Sequence, residues 1–245
     1  VEIAVVIPAL DEADRIEAAI RAARDAAAFR ASAVTDGEDG HHGAVAGAKG
    51  PEIVVVDGGS RDDTMMRARR LGARVLQTEP GRARQLEAGW RASAGETVLF
   101  LHADTRLEAG WSAALAAALR DPGVVGGAFR LRFDRRTWAL RLVERGAAWR
   151  VRLLGLPYGD QGIFVRRGIL EAMGGIPQVP LMEDLDLVVA MKARGRLAAL
   201  APAAVTSARR YTESGIFRTV GRHALALAAW RLGVDRDRVA RWVGR

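Results

Sequence analysis

The sequence predicts an α/β protein, a mostly parallel sheet with helices on both faces, extended by C-terminal helices. Three observations carry that prediction. Residues 2–8 (EIAVVIP), 51–57 (PEIVVVD) and 98–101 (VLFL) are short, nearly unbroken apolar runs, as expected of strands buried on both faces. Segments with helical spacing alternate with them through the first half, the pattern of a parallel sheet. The runs end abruptly in acidic or glycine-rich turns, and open α/β sheets hold ligands at the carboxyl ends of their strands.

In chain order, Pro8 closes the first strand because it cannot continue the ladder, and the backbone must turn through Ala9, Leu10, Asp11 and Glu12. Residues 11–28 then place Ile16, Ala19, Ile20 and Ala23 on one helix face. Residues 30–50 are small, polar and glycine-punctuated, which predicts a mobile surface insertion. His41 and His42 lie within it, where adjacent histidines are more often solvated than metal-bound. The second strand ends in Asp57 and runs at once into Gly58, Gly59 and Ser60. A helix over 61–71 and a strand over 73–77 follow.

Residues 81–91 (GRARQLEAGWR) open a helix on Gly81 with Arg82 and Arg84 in its first turn. Cations there oppose the helix dipole. A docked anion would explain them; exposed arginines in an arginine-rich chain are the other reading. The 98–101 strand then stops at His102, Ala103, Asp104 and Thr105. A helix over 110–120 completes the regular half.

The second half is less regular. Residues 124–133 read as a strand whose glycines allow close backbone approach. Residues 138–154 form a helix carrying Trp138, Leu142, Val143, Trp149 and Leu153 among arginines. Residues 158–165 (YGDQGIFV) set Gly159, Asp160 and Gln161 just before an apolar strand. In 182–194 (MEDLDLVVAMKAR), Glu183, Asp184 and Asp186 crowd a helix start. One acid suffices as a cap, so mutual repulsion of three is expected to raise one pKa and make a usable base. A short hairpin is expected around Pro202. From residue 215 the chain is helical, basic and amphipathic, a tail that either packs on its own domain or lies on an anionic membrane.

Composition narrows the classes. The 245 residues are 49% hydrophobic and contain no cysteine, which excludes disulfides, thiolate metal sites and cysteine nucleophiles. The net charge of +8 is almost all arginine, since only Lys49 and Lys192 are lysines. It suits anionic substrates or lipid, and a coding bias toward alanine and arginine accounts for it equally well. No aromatic and basic stacking surface appears, so no nucleic-acid partner is expected. No apolar run is long enough to span a bilayer and no signal peptide is visible, so a cytoplasmic protein is expected, with a peripheral position at the inner membrane face as the variant. Asp57 and Asp104, both at strand ends on one sheet edge with arginines nearby, describe a nucleoside-diphosphate site.

Taken together, VVIPALDE (5–12), VVVDGGSRDDT (54–64), GRARQLEAG (81–89), FLHADT (100–105) and MEDLDL (182–187) resemble family 2 glycosyltransferases, inverting enzymes with the GT-A, Rossmann-like fold. Within that family GRARQ, FLHADT, GDQGIF and Ser207–Arg210 resemble a bacterial rSAM/selenodomain-associated, arsenosugar-type subgroup. The resemblance implies a GT-A domain over 1–212, and the helices over 213–245, which it does not cover, are expected to pack on that domain. The resemblance implies nucleotide-sugar contacts from Pro8, Ala9, Leu10, Glu12, Asp57, Gly81, Arg82, Arg84, His102, Ala103 and Asp104, with Asp57 reading the base. UDP-linked donors are the family's commonest, although Asp57 would also suit guanine.

The family's aspartate–X–aspartate is His102-Ala103-Asp104 here, so Asp104 alone is expected to hold a divalent cation, Mg2+ or Mn2+. His102 either contacts the ribose or is packed. Asp184 matches the catalytic base, while Asp160, Gln161 and Glu183 are expected to orient a hydroxyl acceptor, small or lipid-linked. A nucleotidyltransferase would carry a glycine-rich basic loop after the first strand, and PALDE is acidic. A non-catalytic nucleotide-sugar-binding protein is the alternative from a different class.

Overall fold

The computed structural model describes residues 1–32 and 50–243. Most of the insertion expected over 30–50, His41 and His42 included, lies outside the described residues. Eight strands form one sheet: β1 (Ile3–Ala9), β2 (Glu52–Asp57), β3 (Arg74–Gln77), β4 (Thr97–Phe100), β5 (Thr105–Leu107), β6 (Val124–Phe133), β7 (Ile163–Arg166) and β8 (Arg196–Thr206). Their order is β3-β2-β1-β4-β7-β6-β8-β5. β3, β2, β1 and β4 are mutually parallel, as the alternating first half predicts. β7 runs antiparallel to both β4 and β6, β6 pairs parallel with β8, and β5 antiparallel with β8, so the sheet is mixed beyond β4.

The helices are α1 (Ala13–Ser32), α2 (Thr64–Arg70), α3 (Arg82–Ala92), α4 (Trp111–Ala118), α5 (Trp138–Leu154), α6 (Arg167–Met173), α7 (Glu183–Lys192), α8 (Arg209–Glu213), α9 (Ile216–Arg231) and α10 (Arg236–Val243), with a 3-10 turn at Gly159–Gln161. Successive strand residues face opposite sides. Val5 and Ile7 of β1 therefore meet Ile16, Ile20, Trp111 and Leu115 of α1 and α4. Val6 joins Leu86, Trp90, Leu185, Val188 and Met191 of α3 and α7 on the other face. Each buried aliphatic contributes about 1.5–3 kcal/mol. Helices thus cover both faces.

Two glycines of β6 make the second half possible. A Cβ on Gly126 would collide with the Phe164 carbonyl, and one on Gly127 with that of Ala198. The hairpin expected around Pro202 is instead one continuous strand with a bulge. The register passes from Phe129 opposite Leu200 to Arg130 opposite Ala203, leaving Ala201 and Pro202 outside the ladder. Proline has no N–H to give, and the bulge is where its absence costs least.

The C-terminal helices pack on α7 and α5. Ala226, Ala229 and Val239 enclose Leu181. Trp230 Nε1 donates to Asp186 Oδ1 at 2.7 Å, and Arg236 Nη2 grips the same carboxylate at 2.9 and 3.0 Å. Among the described residues no helix is long and apolar enough to cross a membrane.

Candidate active site

Three turns meet at the carboxyl ends of β1, β2 and β4. The turn after β1 is locked to the turn after β2 by side chains. Ser60 Oγ accepts the Asp11 amide at 2.9 Å, Thr64 Oγ1 that of Glu12 at 2.9 Å, and Asp62 Oδ2 that of Ala13 at 3.0 Å. The first N–H groups of α1 are thereby satisfied from another loop. Asp11 adopts φ 54° and Met182 φ 64°, the two non-glycine residues with positive φ among those described. Such conformations cost about 1 kcal/mol or more each and collect at functional sites. From α3, Gln85 Nε2 donates to the carbonyls of Ala9 (2.9 Å) and Val56 (2.8 Å), tying both strand ends to the helix whose first residue is Arg82.

At the end of β4, Asp104 stands beside Glu12. Burial raises the Glu12 pKa above the usual carboxylate range, the Asp104 charge adds to the rise, and Arg209 and Arg15 oppose it. Arg209 Nη2 lies 3.6 Å from Glu12 Oε1. Asp104 Oδ1 has only long contacts, 3.4 Å from Thr105 Oγ1 and 3.5 Å from Thr206 Oγ1, so the carboxylate is only weakly engaged by these hydroxyls. Among the described residues no group of three or more His, Asp or Glu converges as a ready-made metal cage. The donor set fits a hard cation held by one carboxylate, with ligand oxygens and water completing the shell.

Next to this edge lies a cavity of about 360 Å³. Arg82, His102, Asp160, Glu183 and Asp184, all singled out in the sequence, line it together. Gly159 is the pivot. Its N–H donates to Asp184 Oδ2 at 2.7 Å. A Cβ there would stand 2.6 Å from Arg82 Nη2 and 2.9 Å from His102 Nε2. Only glycine lets those side chains gather so closely. The Nε of Arg82 is 3.0 Å from Glu183 Oε1, an ion pair lying off the line of a hydrogen bond.

The three acids at the start of α7 do not repel one another in one pocket, as the sequence reading expected. Glu183 faces Arg82, Asp184 faces Gly159, and Asp186 faces Trp230 and Arg236. Within the cavity, Asp160 is the carboxyl whose pKa is raised. Part of this residue reaches solvent, but its Oδ1 is enclosed with no hydrogen-bond partner. Burial pushes its pKa up to about 6, with Asp184 and Asp104 adding to the rise and Arg150 and Arg82 opposing it.

Four other expectations change. Asp57 is 0% exposed: its Oδ2 accepts the amides of Gly59 and Ser60 at 2.9 Å, and its Oδ1 accepts the Ser60 hydroxyl. It builds the turn, and the base-reading role does not fit a side chain so enclosed. Gln161 is likewise turned inward. Its Oε1 accepts from Arg150 (3.0 Å) and the Tyr158 amide (3.2 Å), and its Nε2 donates to Phe129 O (3.0 Å). It holds the 3-10 turn in place of an acceptor. Glu183 is buried against Arg82, so it steadies that arginine rather than offering a free oxygen. Arg84, two residues beyond Arg82 and so on another side of the helix, is exposed and outside the cavity lining. Gly81 opens α3 with φ 144°, while Pro8, Ala9, Leu10 and Ala103 line the strand-end edge by backbone position.

Several cavity residues escaped the sequence reading. Arg210 and Ser214 come from α8 and its end, and Thr219, Arg222, His223 and Ala226 from α9. The last four are spaced i, i+3, i+4, i+7, one helix face. Three of them, Thr219, Arg222 and His223, are polar, but in a helix that also carries Arg218 and Arg231 the sequence does not single them out. His223 Nδ1 also lies 3.5 Å from the Tyr211 hydroxyl.

Known proteins resemble this chain in sequence and in fold. Over 111 residues the chain is 36% identical to glucosyl-3-phosphoglycerate synthase of Mycolicibacterium paratuberculosis, covering 42% of this chain. The matched part spans only 28% of that relative's length. The fold resembles Mycobacterium tuberculosis glucosyl-3-phosphoglycerate synthase in complex with phosphoglyceric acid, with TM-score 0.60 and 24% identity over 95% of this chain and 80% of that one. The complex of the same enzyme with Mn2+, uridine-diphosphate-glucose and phosphoglyceric acid gives TM-score 0.57 at 22% identity, over 95% and 80%. At these identities the structural likeness shows the fold. The sequence model described as glycosyl transferase family 2 matches residues 4–173, from β1 through α6. With the GT-A sheet, its strand-end turns and this match over most of its length, the chain belongs to glycosyl transferase family 2.

Proposed function

We propose that the chain transfers a sugar from a UDP-linked donor to a hydroxyl of a small anionic acceptor, inverting the anomeric carbon in one displacement. The observation that carries this reading is the cavity itself. Asp184 faces a space walled by Arg82, Arg210 and Arg222, directly beside the strand end bearing Asp104. A carboxylate base among arginines suits an acceptor that brings its own negative charge. The related synthase's complexes with phosphoglyceric acid, UDP-glucose and Mn2+ support the same assignment of donor, acceptor class and ion.

In this reading the acceptor oxygen attacks the anomeric carbon, its proton passes to Asp184, and the bond from that carbon to the diphosphate breaks on the opposite face. The Gly159 N–H orients the Asp184 carboxylate for that proton. Arg82, steadied by Glu183, faces the negative charge developing on the leaving group. Asp104 would hold Mg2+ or Mn2+ with diphosphate oxygens, and such an ion when bound neutralises the departing charge. Arg210 and Arg222 grip the acceptor anion, and Asp160 lies beside its reacting hydroxyl. We read residues 1–212 as the transferase domain, with 213–245 closing its acceptor side.

Asp184→Asn tests the assignment. It is expected to keep the rise in melting temperature given by UDP with Mn2+ and to lose transfer by about 10²–10⁴-fold. Normal turnover by this variant would remove Asp184 as the base. Screening UDP, GDP, CDP and dTDP for thermal stabilisation tests the donor. Ligand at about a hundred times its dissociation constant adds roughly 2.7 kcal/mol, about 5–10 °C for a chain this long.

A further inference from the structure

Helix α5 carries an outward side that the transfer reaction does not use. Trp138, Leu142, Trp149 and Leu153 are between 61% and 74% exposed. At helical pitch these four fall within an arc of about 60°, on a stripe about 22 Å long. Leu140 and Ala147, buried with Leu131, Phe133 and Tyr211, occupy the opposite side of the helix. Arg141, Arg145 and Arg152 occupy the arc adjoining the stripe, within about another 60°.

The same helix borders a cleft of about 270 Å³ lined by Arg132, Arg135, Arg136, Arg141, Glu144 and Arg145. Arg132 pairs with Glu108, and Glu144 accepts the Phe133 amide at 2.8 Å. Arg135, Arg136, Arg141 and Arg145 form no ion pair among the described residues. A row of guanidinium groups in excess over the one carboxylate of the cleft, Glu144, thus stands next to a row of exposed indoles and leucines.

We propose that this face docks the chain on an anionic phospholipid surface. Tryptophan and leucine side chains enter the headgroup boundary, where amphipathic helices bury their apolar side, and the arginine cleft takes lipid phosphates. Charge decides against a second copy of the chain as the occupant. A two-fold contact on this face would bring two arginine clefts together. A lipid surface of opposite sign meets both halves of the feature at once.

The test is sedimentation with phosphatidylcholine vesicles and with the same vesicles carrying phosphatidylglycerol. The full chain is expected to sediment with the anionic vesicles, more weakly as salt rises, and to stay in solution with the neutral ones. Arg141→Gln with Arg145→Gln should weaken partitioning about thirtyfold, from roughly fivefold per surface cation. Trp138→Ser with Trp149→Ser should abolish it. All four positions are exposed, and an unchanged melting temperature confirms that each variant folds. Failure to bind anionic vesicles, or equal binding to neutral ones, overturns the proposal. A dimer in solution that the tryptophan substitutions dissociate also overturns it and makes the face a subunit contact.

Discussion

Replacing Asp160 by asparagine is expected to stabilise the chain in alkaline solution while impairing it as an enzyme. The carboxyl has its pKa raised from 3.8 to about 6 in the folded protein, chiefly by burial. A raised folded-state pKa means that the fold prefers the protonated form. Its contribution to stability is therefore present below the unfolded value and is lost as pH rises through about 6. A shift of about 2 units at 1.36 kcal/mol each makes ionised Asp160 a liability of about 3 kcal/mol at about pH 8, and of about half a kcal/mol at about pH 4.

Asparagine has nearly the same shape and never ionises, so it should recover about 3 kcal/mol at about pH 8 and very little at about pH 4. Urea unfolding of both proteins across that range measures the difference. A gain that is the same at both ends of the pH range, or a loss at the alkaline end, would refute the argument. Transfer should fall in the variant even as stability rises, the usual relation at sites that hold an unfavourable group.

Gly159→Ala should place a methyl group 2.6 Å from Arg82 Nη2 and 2.9 Å from His102 Nε2, so donor affinity and turnover should fall together while the sheet stays folded; nucleotide titration and circular dichroism separate the two. Asp104→Ala should abolish the extra thermal stabilisation that Mn2+ gives to nucleotide binding and leave the ligand-free melting temperature nearly unchanged. Arg222→Ala should raise KM for an anionic acceptor about tenfold or more, the range for losing a hydrogen bond to a charged group, with little change in kcat.

The parallel half of the fold was legible because burial on both faces writes itself as apolar runs, and VVIP, IVVV and VLFL are unmistakable. The antiparallel entry of β7 was not, since direction within a sheet depends on the path of the connections and not on the strand's own residues. Pro202 misled because proline breaks ladders in isolation, whereas a bulge on a long strand absorbs it. Of the site, Arg82, Glu183 and Asp184 were visible as charges crowding helix starts, His102 and Asp160 through the motifs FLHADT and GDQGIF, and all five do line one cavity. Asp57 and Gln161 carried the same signal for another reason, because a polar residue can be required by the turn it builds. Arg222 and His223 were hidden by abundance: in a basic amphipathic tail, an inward-facing arginine looks like any other until the helix has something to pack against.

The wall of the cavity that α8 and α9 supply lies beyond residue 173, where the family's shared stretch ends. The matched stretch builds the strand ends that would receive the nucleotide and gives the cavity Arg82, His102, Gly159 and Asp160, and the later portion supplies the rest of its lining from α7, α8 and α9. Exchanging a few side chains on one face of α9 could redirect the enzyme to a new acceptor without disturbing the donor half. Such a chain would retain its family while changing its product.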